Sequence, residues 1–414
     1  MSRFRPAMAM CAPRTGCSGL MGRPVSGSRR RWMSSENQFM SSNRADAAFA
    51  KDTTGFIQLP GALEPPLETQ DGYITPNERF FVCSAGTPPA VDLDQWSLTV
   101  GGDGVTQAIT LDYQSLKAMP QVDLPALLEC AGNHRILFEE VSGEVLNRRP
   151  NMTEVRWGRG AIGMAVWSGV RLRDVLLAAG IREDAYHVCP VGLDRGYEGE
   201  DGIKVPLPVQ KAMHPDTLIA LGMNGAPLPD DHGFPARLIV PGWVGTYSIK
   251  WLDRFDVTRT HQWVYRNTEL YVLSGDAYPK PEGSPAKGIG ITEQTIKSAL
   301  ALSWPANLPA GRHRLFGYAH SPGAEIASVE WSVDGGAIWS SADILSENRK
   351  WAWGRFAFDW QAAPGRHAIR TRTTDRAGRT QPDRIPFNDG GYLFNKSHEH
   401  PVHVRHAAIA GPDE

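Results

Sequence analysis

The sequence has little charge imbalance, few cysteines and no long apolar run. Its 414 residues carry 43 basic and 45 acidic side chains, a formal charge of −2, whereas a dedicated nucleic-acid binder is expected to be strongly basic. No apolar stretch approaches the roughly 20 residues that a transmembrane helix requires. Five cysteines are a small and odd number for a disulfide framework. These absences disfavour nucleic-acid binding, a membrane span and a disulfide-stapled scaffold.

The N-terminal segment differs from the rest of the chain. Residues 1–35 contain seven arginines and no lysine, aspartate or glutamate, and they are rich in Gly, Ser, Pro and Met. Such a stretch cannot bury enough apolar surface to fold. We interpret residues 1–50 as an extension that is either disordered, upstream of a start at Met33, or a transit peptide. A cytoplasmic location is therefore the first expectation and a mitochondrial one the alternative. Without residues 1–35, 36 basic side chains face 45 acidic ones, a charge of −9.

Residues 51–275 mix helical and strand patterns. The alternation of Trp96–Val100 before two glycines predicts a strand and a turn. Leu111–Met119 and Gly169–Ala179 predict short helices, the second of them amphipathic and ended by a glycine. Two apolar runs, Ala185–Val191 and Ala236–Val240, predict buried strands. The pattern therefore predicts an α+β domain.

The chain changes character after a linker rich in Pro and Gly at 279–285. Helical periodicity becomes scarce, and short alternating runs recur to about residue 405. A turn signal at 334–336 follows one of these runs and predicts a hairpin. Regular strands of this kind predict an immunoglobulin-like sandwich over 285–405. The runs are His313–Tyr318, Ile326–Val333, Phe356–Trp360 and His367–Arg372.

A cysteine with unusual neighbours follows an apolar run near the middle of the first domain. Cys130 precedes small residues, and Asn133 could cap a helix running through Glu140. A thiol beside a helix N-terminus, His134 and Arg135 should have a lowered pKa and act as a nucleophile or as a ligand for a soft or high-valent metal. An inert buried cysteine is the alternative. Zinc is disfavoured, because no second Cys or His lies nearby at ligand spacing.

A second group of residues offers cations and glycines around an apolar strand. His232, Arg237 and Lys250 would together suit a phosphate, although ordinary surface charge beside a strand is the simpler explanation. Asp194, in a Gly-Leu-Asp stretch, could hydrogen-bond a heterocycle or could simply belong to a turn. Residue types alone therefore do not decide whether this group binds a ligand.

Five motifs occur together in a characteristic order. They are Thr-Pro-Asn-Glu-Arg-Phe-Phe (75–81), Cys-Ala-Gly-Asn-His-Arg (130–135), Asp-His-Gly-Phe-Pro-Ala-Arg (231–237), Val-Pro-Gly-Trp-Val-Gly (240–245) and Ser-Ile-Lys-Trp-Leu (248–252). In order and spacing they resemble the sulfite oxidase family of molybdopterin-dependent oxidoreductases over roughly residues 55–405. The C-terminal part resembles the dimerisation domain of that family.

The resemblance implies molybdenum held by the dithiolene of molybdopterin, with Cys130 as the protein ligand to the metal. It implies catalytic roles for Arg135, as the arginine of an anion pocket, and for Tyr271, with Tyr265 in reserve as the active-site tyrosine. It also implies a set of cofactor-binding residues. These are Phe81, Val82, Cys83, Ser84, Asp194, His232, Arg237, Ser248, Ile249 and Lys250.

The chain departs from the family pattern at two positions where an arginine is expected, occupied here by Cys83 and Gly390. Oxygen-atom transfer that oxidises sulfite to sulfate is the family default. Losing two cations should weaken the binding of a small dianion, because each buried charge-assisted bond contributes about 1.5–3 kcal/mol. The alternative is the same cofactor acting on another sulfur compound or on an S- or N-oxide. A third hypothesis is an interaction protein that carries an inactive domain.

The remaining expectations concern partners. The His-Pro-Gly-Gly signature of a b-type haem domain is absent, as is a nicotinamide-binding glycine motif, so no haem is expected in this chain. We therefore expect electrons to pass to an external carrier such as a cytochrome. A small oxyanion or sulfur compound is the expected substrate, and a homodimer is the family expectation.

Overall fold

The computed structural model describes residues 49–85, 87–144, 146, 155–194 and 200–406. The arginine-rich segment 1–35, interpreted above as part of an extension, lies outside the described residues. So does the rest of that extension up to residue 48.

The first part of the chain mixes short helices with strands. Its α-helices in the described residues are α1 (Tyr113–Ala118), α2 (Leu137–Glu140), α3 (Leu172–Ala178) and α4 (Val209–Ala212). Its strands are β1 (Ile57–Leu59), β2 (Ala62–Glu64), β3 (Val82–Cys83), β4 (Ser97–Gly101), β5 (Ile109–Asp112), β6 (Gln121–Glu129), β7 (Ile162–Arg171), β8 (His187–Gly192), β9 (Leu207–Pro208), β10 (Leu218–Met223), β11 (Ala226–Pro227), β12 (Arg237–Ile239), β13 (Leu252–Thr258), β14 (Val272–Leu273) and β15 (Ile289–Gly290). Single turns of 3₁₀-helix span Leu67–Thr69, Asn77–Arg79, Asp230–His232 and Gly245–Tyr247, and a π-helical turn spans Arg266–Leu270.

Three sheets and a small two-stranded sheet, β14-β15, organise this part in the described residues. One has the order β1-β2-β3, and the second has the order β11-β10-β7-β6 with β12 paired to β10. The third has the order β5-β4-β13-β8-β9, in which β13 and β4 run parallel. The longest pairing joins β6 to β7, from Gln121 opposite Val170 to Glu129 opposite Ile162. This long ladder places the end of β6, and the loop that follows it, firmly against the rest of the domain.

The second part of the chain is a sandwich of two sheets. Its strands are β16 (Lys297–Leu300), β17 (Ala306–Pro309), β18 (Gly311–His320), β19 (Ile326–Ser332), β20 (Ser340–Ser341), β21 (Asp343–Ile344), β22 (Gly354–Ala362), β23 (Gly365–Asp375) and β24 (Glu399–Arg405). The sheet orders are β16-β18-β22-β21 and β17-β24-β23-β19-β20. Val329, Phe356, Phe358 and Ile369 are buried between them. The predicted α+β domain followed by a β-sandwich is confirmed.

Two of the predicted helices start later than their patterns suggested. Gly169 still belongs to β7, opposite Ala220, and a Cβ there would lie only 2.0 Å from the carbonyl oxygen of Ile219. The helix therefore begins at Leu172, after the pairing ends. In the same way, Asp112 ends β5 and caps α1, its carboxylate accepting a hydrogen bond from the Ser115 amide at 2.7 Å.

The two parts share a buried boundary. Leu127 and Met164, on β6 and β7, pack in one cluster with Tyr318 and Trp353 of the sandwich. Next to this cluster, Lys297 Nζ lies 2.5 Å from Glu129 Oε1, with both side chains almost fully buried. The residue before Cys130 is thus held by the sandwich.

No helix in the part of the chain that the structure describes is long and apolar enough to cross a membrane.

Candidate functional site

A solvent-open cavity of about 740 Å³ lies in the first domain, lined by residues at or just after strands of three of its sheets. Twelve of the thirteen predicted site residues line it, and Arg135 is the exception. Those twelve are Phe81, Val82, Cys83, Ser84, Cys130, Asp194, His232, Arg237, Ser248, Ile249, Lys250 and Tyr271. The tertiary structure therefore brings together residues from six separate segments of the chain.

The Cys130 loop is built by backbone and side-chain hydrogen bonds. The amide of Cys130 donates to the Ala161 carbonyl at 2.9 Å. Asn133 was predicted to cap a helix, and this is wrong: α2 begins only at Leu137, and its N-terminus has no side-chain cap. Asn133 instead donates to Glu129 Oε1 at 2.9 Å and accepts from the Ala161 amide at 3.2 Å. Its amide therefore closes the loop onto the end of β6.

The Cys130 thiol has a raised pKa in the protein alone, contrary to the prediction from its neighbours. A hydrogen bond with the Cys83 thiol and burial raise the pKa well above its ordinary value. Arg135 and the Gly132 amide lower the pKa of this thiol, but they do not outweigh the two opposing effects. The prediction failed because it counted cations along the sequence and not the thiol that β3 places beside Cys130.

The part of the cavity lining around Arg237 and Lys250, called here the cationic end, carries positive charge. Arg237 donates to the carbonyl oxygens of His232 and Ser248, both at 3.1 Å. Lys250 Nζ donates to Ser84 Oγ at 2.6 Å and to the Asp231 carbonyl at 3.0 Å. Burial lowers the pKa of Arg237 to about 9, and burial together with Arg237 lowers the pKa of Lys250 to about 7. The negative charge around these two cations is thus too small to offset the effect of burial on their pKa values.

Backbone geometry brings these cations close together. Gly233 ends the turn that carries His232, at a φ of 102° that favours glycine. A Cβ at this position would lie 3.0 Å from Lys250 Cβ and 3.1 Å from Arg237 Cβ. A side chain at 233 would therefore separate the two cations.

Two carboxylates also line the cavity. Burial raises the pKa of Asp194 to about 6, and its Oδ1 has no hydrogen-bond partner among the described residues. Asp231 Oδ1 is also buried and also has no hydrogen-bond partner among the described residues. Such orphaned acceptors suit a ligand that donates hydrogen bonds, because a buried acceptor without a partner costs about 1–3 kcal/mol.

Tyr271 lies at the Cys130 end of the cavity. Burial raises the pKa of its hydroxyl, so the phenol stays protonated and can donate a hydrogen bond. Its ring stacks on Tyr392, with centroids 5.6 Å apart, and the Arg266 guanidinium carbon lies 5.5 Å from the Tyr271 ring centre. Tyr265, the reserve candidate, does not line the cavity and is 36% exposed.

Arg135 is buried beside the cavity instead of lining it. Its Nη1 donates to the Val155 carbonyl at 2.7 Å, and its guanidinium lies 4.9 Å from the centre of the Tyr392 ring. Tyr392 in turn stacks on Tyr271. Arg135 thus packs against Tyr392 without lining the cavity, and its role as an anion-binding residue stays a prediction.

Sequence reasoning missed several residues of the site. Arg266 lines the cavity and donates to Thr246 Oγ1 at 2.6 Å. Its position five residues before Tyr271, on the predicted segment with the catalytic tyrosine, was the available signal. Lys51 contacts His232 from a segment far away in sequence, and no local pattern marks it. In the described residues, no three His, Cys, Asp or Glu side chains come together as a metal site.

Comparison with family models divides the chain in two. Residues 85–265 match the oxidoreductase molybdopterin binding domain, and residues 293–405 match the Mo-co oxidoreductase dimerisation domain.

Curated relatives are similar over most of the chain. Mitochondrial sulfite oxidase of Mus musculus is 32% identical over 84% of this chain and 64% of its own length. Sulfite oxidase of Gallus gallus is 34% identical over 79% of this chain and 72% of its own length. The NADH nitrate reductase of Volvox carteri is 32% identical over 83% of this chain, which spans 42% of that protein. This chain thus spans less than two thirds of the mouse protein.

Among solved structures, the sulfane dehydrogenase SoxCD from Paracoccus pantotrophus has a similar fold. The match has a TM-score of 0.71 and covers 92% of this chain and 96% of that one, at 20% sequence identity. At this identity the likeness concerns the fold alone.

Proposed function

The chain belongs to the sulfite oxidase family of molybdopterin oxidoreductases, and we propose that it catalyses oxygen-atom transfer with sulfite as substrate and sulfate as product. The observation that carries this proposal is that Cys130, Arg237 and Lys250 all line one cavity. The balanced reaction is SO₃²⁻ + H₂O → SO₄²⁻ + 2H⁺ + 2e⁻.

The residues present fit a molybdopterin cofactor. Arg237 and Lys250 have pKa values lowered by burial, so both would gain from an anionic partner such as the cofactor phosphate. The unpartnered Asp194 Oδ1 is an acceptor for an N–H group of a heterocycle. Cys130 supplies a thiol that becomes a thiolate on binding metal. Ser84, His232, Ser248 and Ile249 would complete the binding surface between the two ends.

When bound, the group supplies the two-electron redox chemistry and the oxygen-atom exchange with water. The protein's own residues bind and orient the substrate. Tyr271, protonated through burial, would donate a hydrogen bond to a sulfite oxygen. Arg266, over the Tyr271 ring, would supply positive charge to the dianion. This cation compensates in part for the arginines absent at positions 83 and 390.

A second candidate function is turnover of a less anionic substrate, either another sulfur compound or an S- or N-oxide. Neutral side chains surround the Cys130 end of the cavity and favour this candidate. They include Val82, Cys83, Leu128 and Tyr271. A substrate without two negative charges would need fewer cations there.

The chain carries a dimerisation domain over residues 293–405. We propose that the protein is a homodimer and passes its electrons to an external carrier such as a cytochrome.

The test combines cofactor analysis with a substrate panel. Purified protein should contain about one molybdenum and one pterin per chain and should oxidise sulfite with an artificial one-electron acceptor. Cys130→Ser should retain the fold but lose molybdenum, and activity should fall by at least about 100-fold. Cys189→Ser, at a buried position outside the cavity, is the matched control.

Each outcome bears on one proposal. Active protein without molybdenum would contradict the cofactor. Loaded protein that ignores sulfite but turns over an S- or N-oxide would favour the second candidate.

A further inference from the structure

A lysine from the start of the described chain reaches the cationic end of the cavity. Lys51 lies outside the segment 85–265 that matches the molybdopterin binding domain. Its Nζ lies 2.9 Å from each of three acceptors: the carbonyl oxygens of Asn77 and Phe80, and Nε2 of His232. Phe56 covers the same ammonium at 5.6 Å from its ring centre. The side chain is thus enclosed and its hydrogen bonds are defined.

The chemistry of the two partners decides which of them donates. An ammonium carries three N–H donors and no acceptor, so Nε2 of His232 must accept with its lone pair. A histidine that accepts at Nε2 is neutral and carries its proton on Nδ1. Burial lowers the pKa of His232 well below the ordinary value, and Lys51, Arg237 and Lys250 lower it further, whereas a hydrogen bond with the Asn77 backbone opposes the shift. Protonation of His232 would therefore meet three cations at once.

A second contact ties the same segment to the same turn. The backbone amide of Lys51 donates to Asp231 Oδ2 at 2.9 Å, and Asp231 precedes His232 in the 3₁₀ turn Asp230–His232. Asp231 is the charged group on this turn that attracts the Lys51 ammonium. Lys51 therefore offsets a carboxylate that would otherwise repel an anionic ligand here. It also holds the turn that carries His232 into the cavity.

We propose that Lys51 is a positioning residue that holds His232 as the neutral Nδ1–H tautomer. In this state His232 offers one fixed N–H donor and adds no third charge between Arg237 and Lys250. The link from this donor to retention of the cofactor rests on the proposed function. The tautomer itself does not, because it follows from the contacts of the protein alone.

The experiment is nitrogen-15 NMR of the full chain labelled at histidine. The His232 signal is assigned as the one lost in His232→Asn. In the unsubstituted protein this signal should show protonated Nδ1 and unprotonated Nε2 from pH 5 to pH 8. In Lys51→Met the ring should populate both tautomers, and its pKa should rise toward the ordinary value of about 6.5. Lys117→Met, at an exposed lysine on α1, should leave the signal unchanged.

Cofactor retention gives an independent readout. Pterin per chain after extended dialysis should fall about tenfold in Lys51→Met and remain unchanged in Lys117→Met. If the unsubstituted protein holds no pterin, the proposed function fails while the NMR result still decides the tautomer. If Lys51→Met keeps pure Nδ1–H histidine, the proposal about Lys51 is wrong.

A measurement on the unsubstituted protein covers the case in which Lys51→Met does not fold. Burial lowers the pKa of Lys51 to about 8, with Asp231 and Glu78 opposing that shift. Above that pH the ammonium becomes an amine that can itself accept a hydrogen bond. The His232 tautomer should then begin to redistribute between pH 8 and pH 9.5. A signal that stays unchanged over this range would overturn the proposal.

Discussion

At the scale of single residues, position 83 decides the charge at the Cys130 end of the cavity. Cys83 forms a hydrogen bond with the thiol of Cys130, and it stands where the family resemblance places an arginine. A thiol adds no positive charge and raises the pKa of its neighbour. The residue therefore has two separable effects: it weakens anion binding, and it keeps the Cys130 thiol protonated until a metal displaces the proton.

Cys83→Arg should raise the catalytic efficiency of the protein with sulfite. A new charge-assisted hydrogen bond of about 1.5–3 kcal/mol would raise kcat/KM for sulfite by about 10- to 100-fold, mainly through KM. Steady-state kinetics at matched molybdenum content measures this. Cys83→Met adds bulk without charge and should not raise kcat/KM. An equal response of the two variants would show that charge at position 83 does not limit the reaction.

Lys250 should make anion binding depend on pH. Its pKa of about 7 means that the ammonium is mostly charged at pH 6 and mostly neutral at pH 8. An anion binds the charged form, so affinity is present below pH 7 and is lost as pH rises through it. Ionisation of Asp194, whose pKa is about 6, acts in the same direction. Sulfate, which stays a dianion throughout, should bind cofactor-free protein about tenfold more weakly at pH 8 than at pH 6.

Calorimetric titration of cofactor-free protein with sulfate measures this dependence. Lys250→Arg keeps its charge over the same range and should show a flatter profile. If the unsubstituted protein binds sulfate equally at both pH values, Lys250 does not contribute its charge to the site.

At the scale of elements, the end of β6 is held from both domains. Glu129 accepts hydrogen bonds from Asn133 of its own loop and from Lys297 of β16. Burial acts to raise the pKa of Glu129, but Lys297 and the other partners of the carboxylate outweigh burial and lower it. The carboxylate therefore stabilises the fold above its unfolded pKa, and this contribution is lost as pH falls through the folded pKa. The strand that precedes the Cys130 loop is thus anchored to the sandwich.

Lys297→Met should destabilise the protein by about 3–5 kcal/mol, because it leaves the buried Glu129 carboxylate without its lysine counter-charge. Denaturant unfolding at pH 7.5 measures the loss. The double variant Lys297→Met/Glu129→Gln removes both charges and should recover much of the stability. A double variant as unstable as the single one would indicate that packing, not charge, is responsible.

At the scale of the whole molecule, the boundary of the sandwich with the first domain holds several buried histidines. His320 ends β18, while the rings of His398 and His400 lie against the Trp304 ring, with centroids 5.6 Å and 4.8 Å away. Burial lowers the pKa of His320 and His398 to about 4 and that of His400 to about 3. All three are therefore neutral in the folded protein near neutral pH. The packing of the two domains against each other should therefore weaken at acidic pH.

The free energy of unfolding should fall steeply between pH 6.5 and pH 4. The unfolded histidines take up protons near pH 6.5, while the folded ones resist until about pH 4 or below. The unfolded state thus binds more protons in this window, and each histidine can cost up to about 3 kcal/mol. Melting temperature against pH measures the loss. His400→Gln should flatten the curve, whereas His403→Gln, at an exposed position on β24, should not.

The sequence by itself determined the elements and the motifs. Alternation and glycine punctuation, which are local properties, predicted four strands of the sandwich (β18, β19, β22 and β23) and three of those in the first domain (β4, β8 and β12). The cations at 232–250 were recognisable because they lie close together along the chain, on one turn, one strand and the loop after it.

Only the tertiary structure decided how distant residues act on one another. It placed Cys83 against Cys130, Lys51 against His232 and Lys297 against Glu129. These contacts reverse the expected pKa shift of the metal-ligand candidate and fix the state of the cationic end. The physical reason is that burial and short-range charge depend on distance in space, which sequence neighbours alone do not determine.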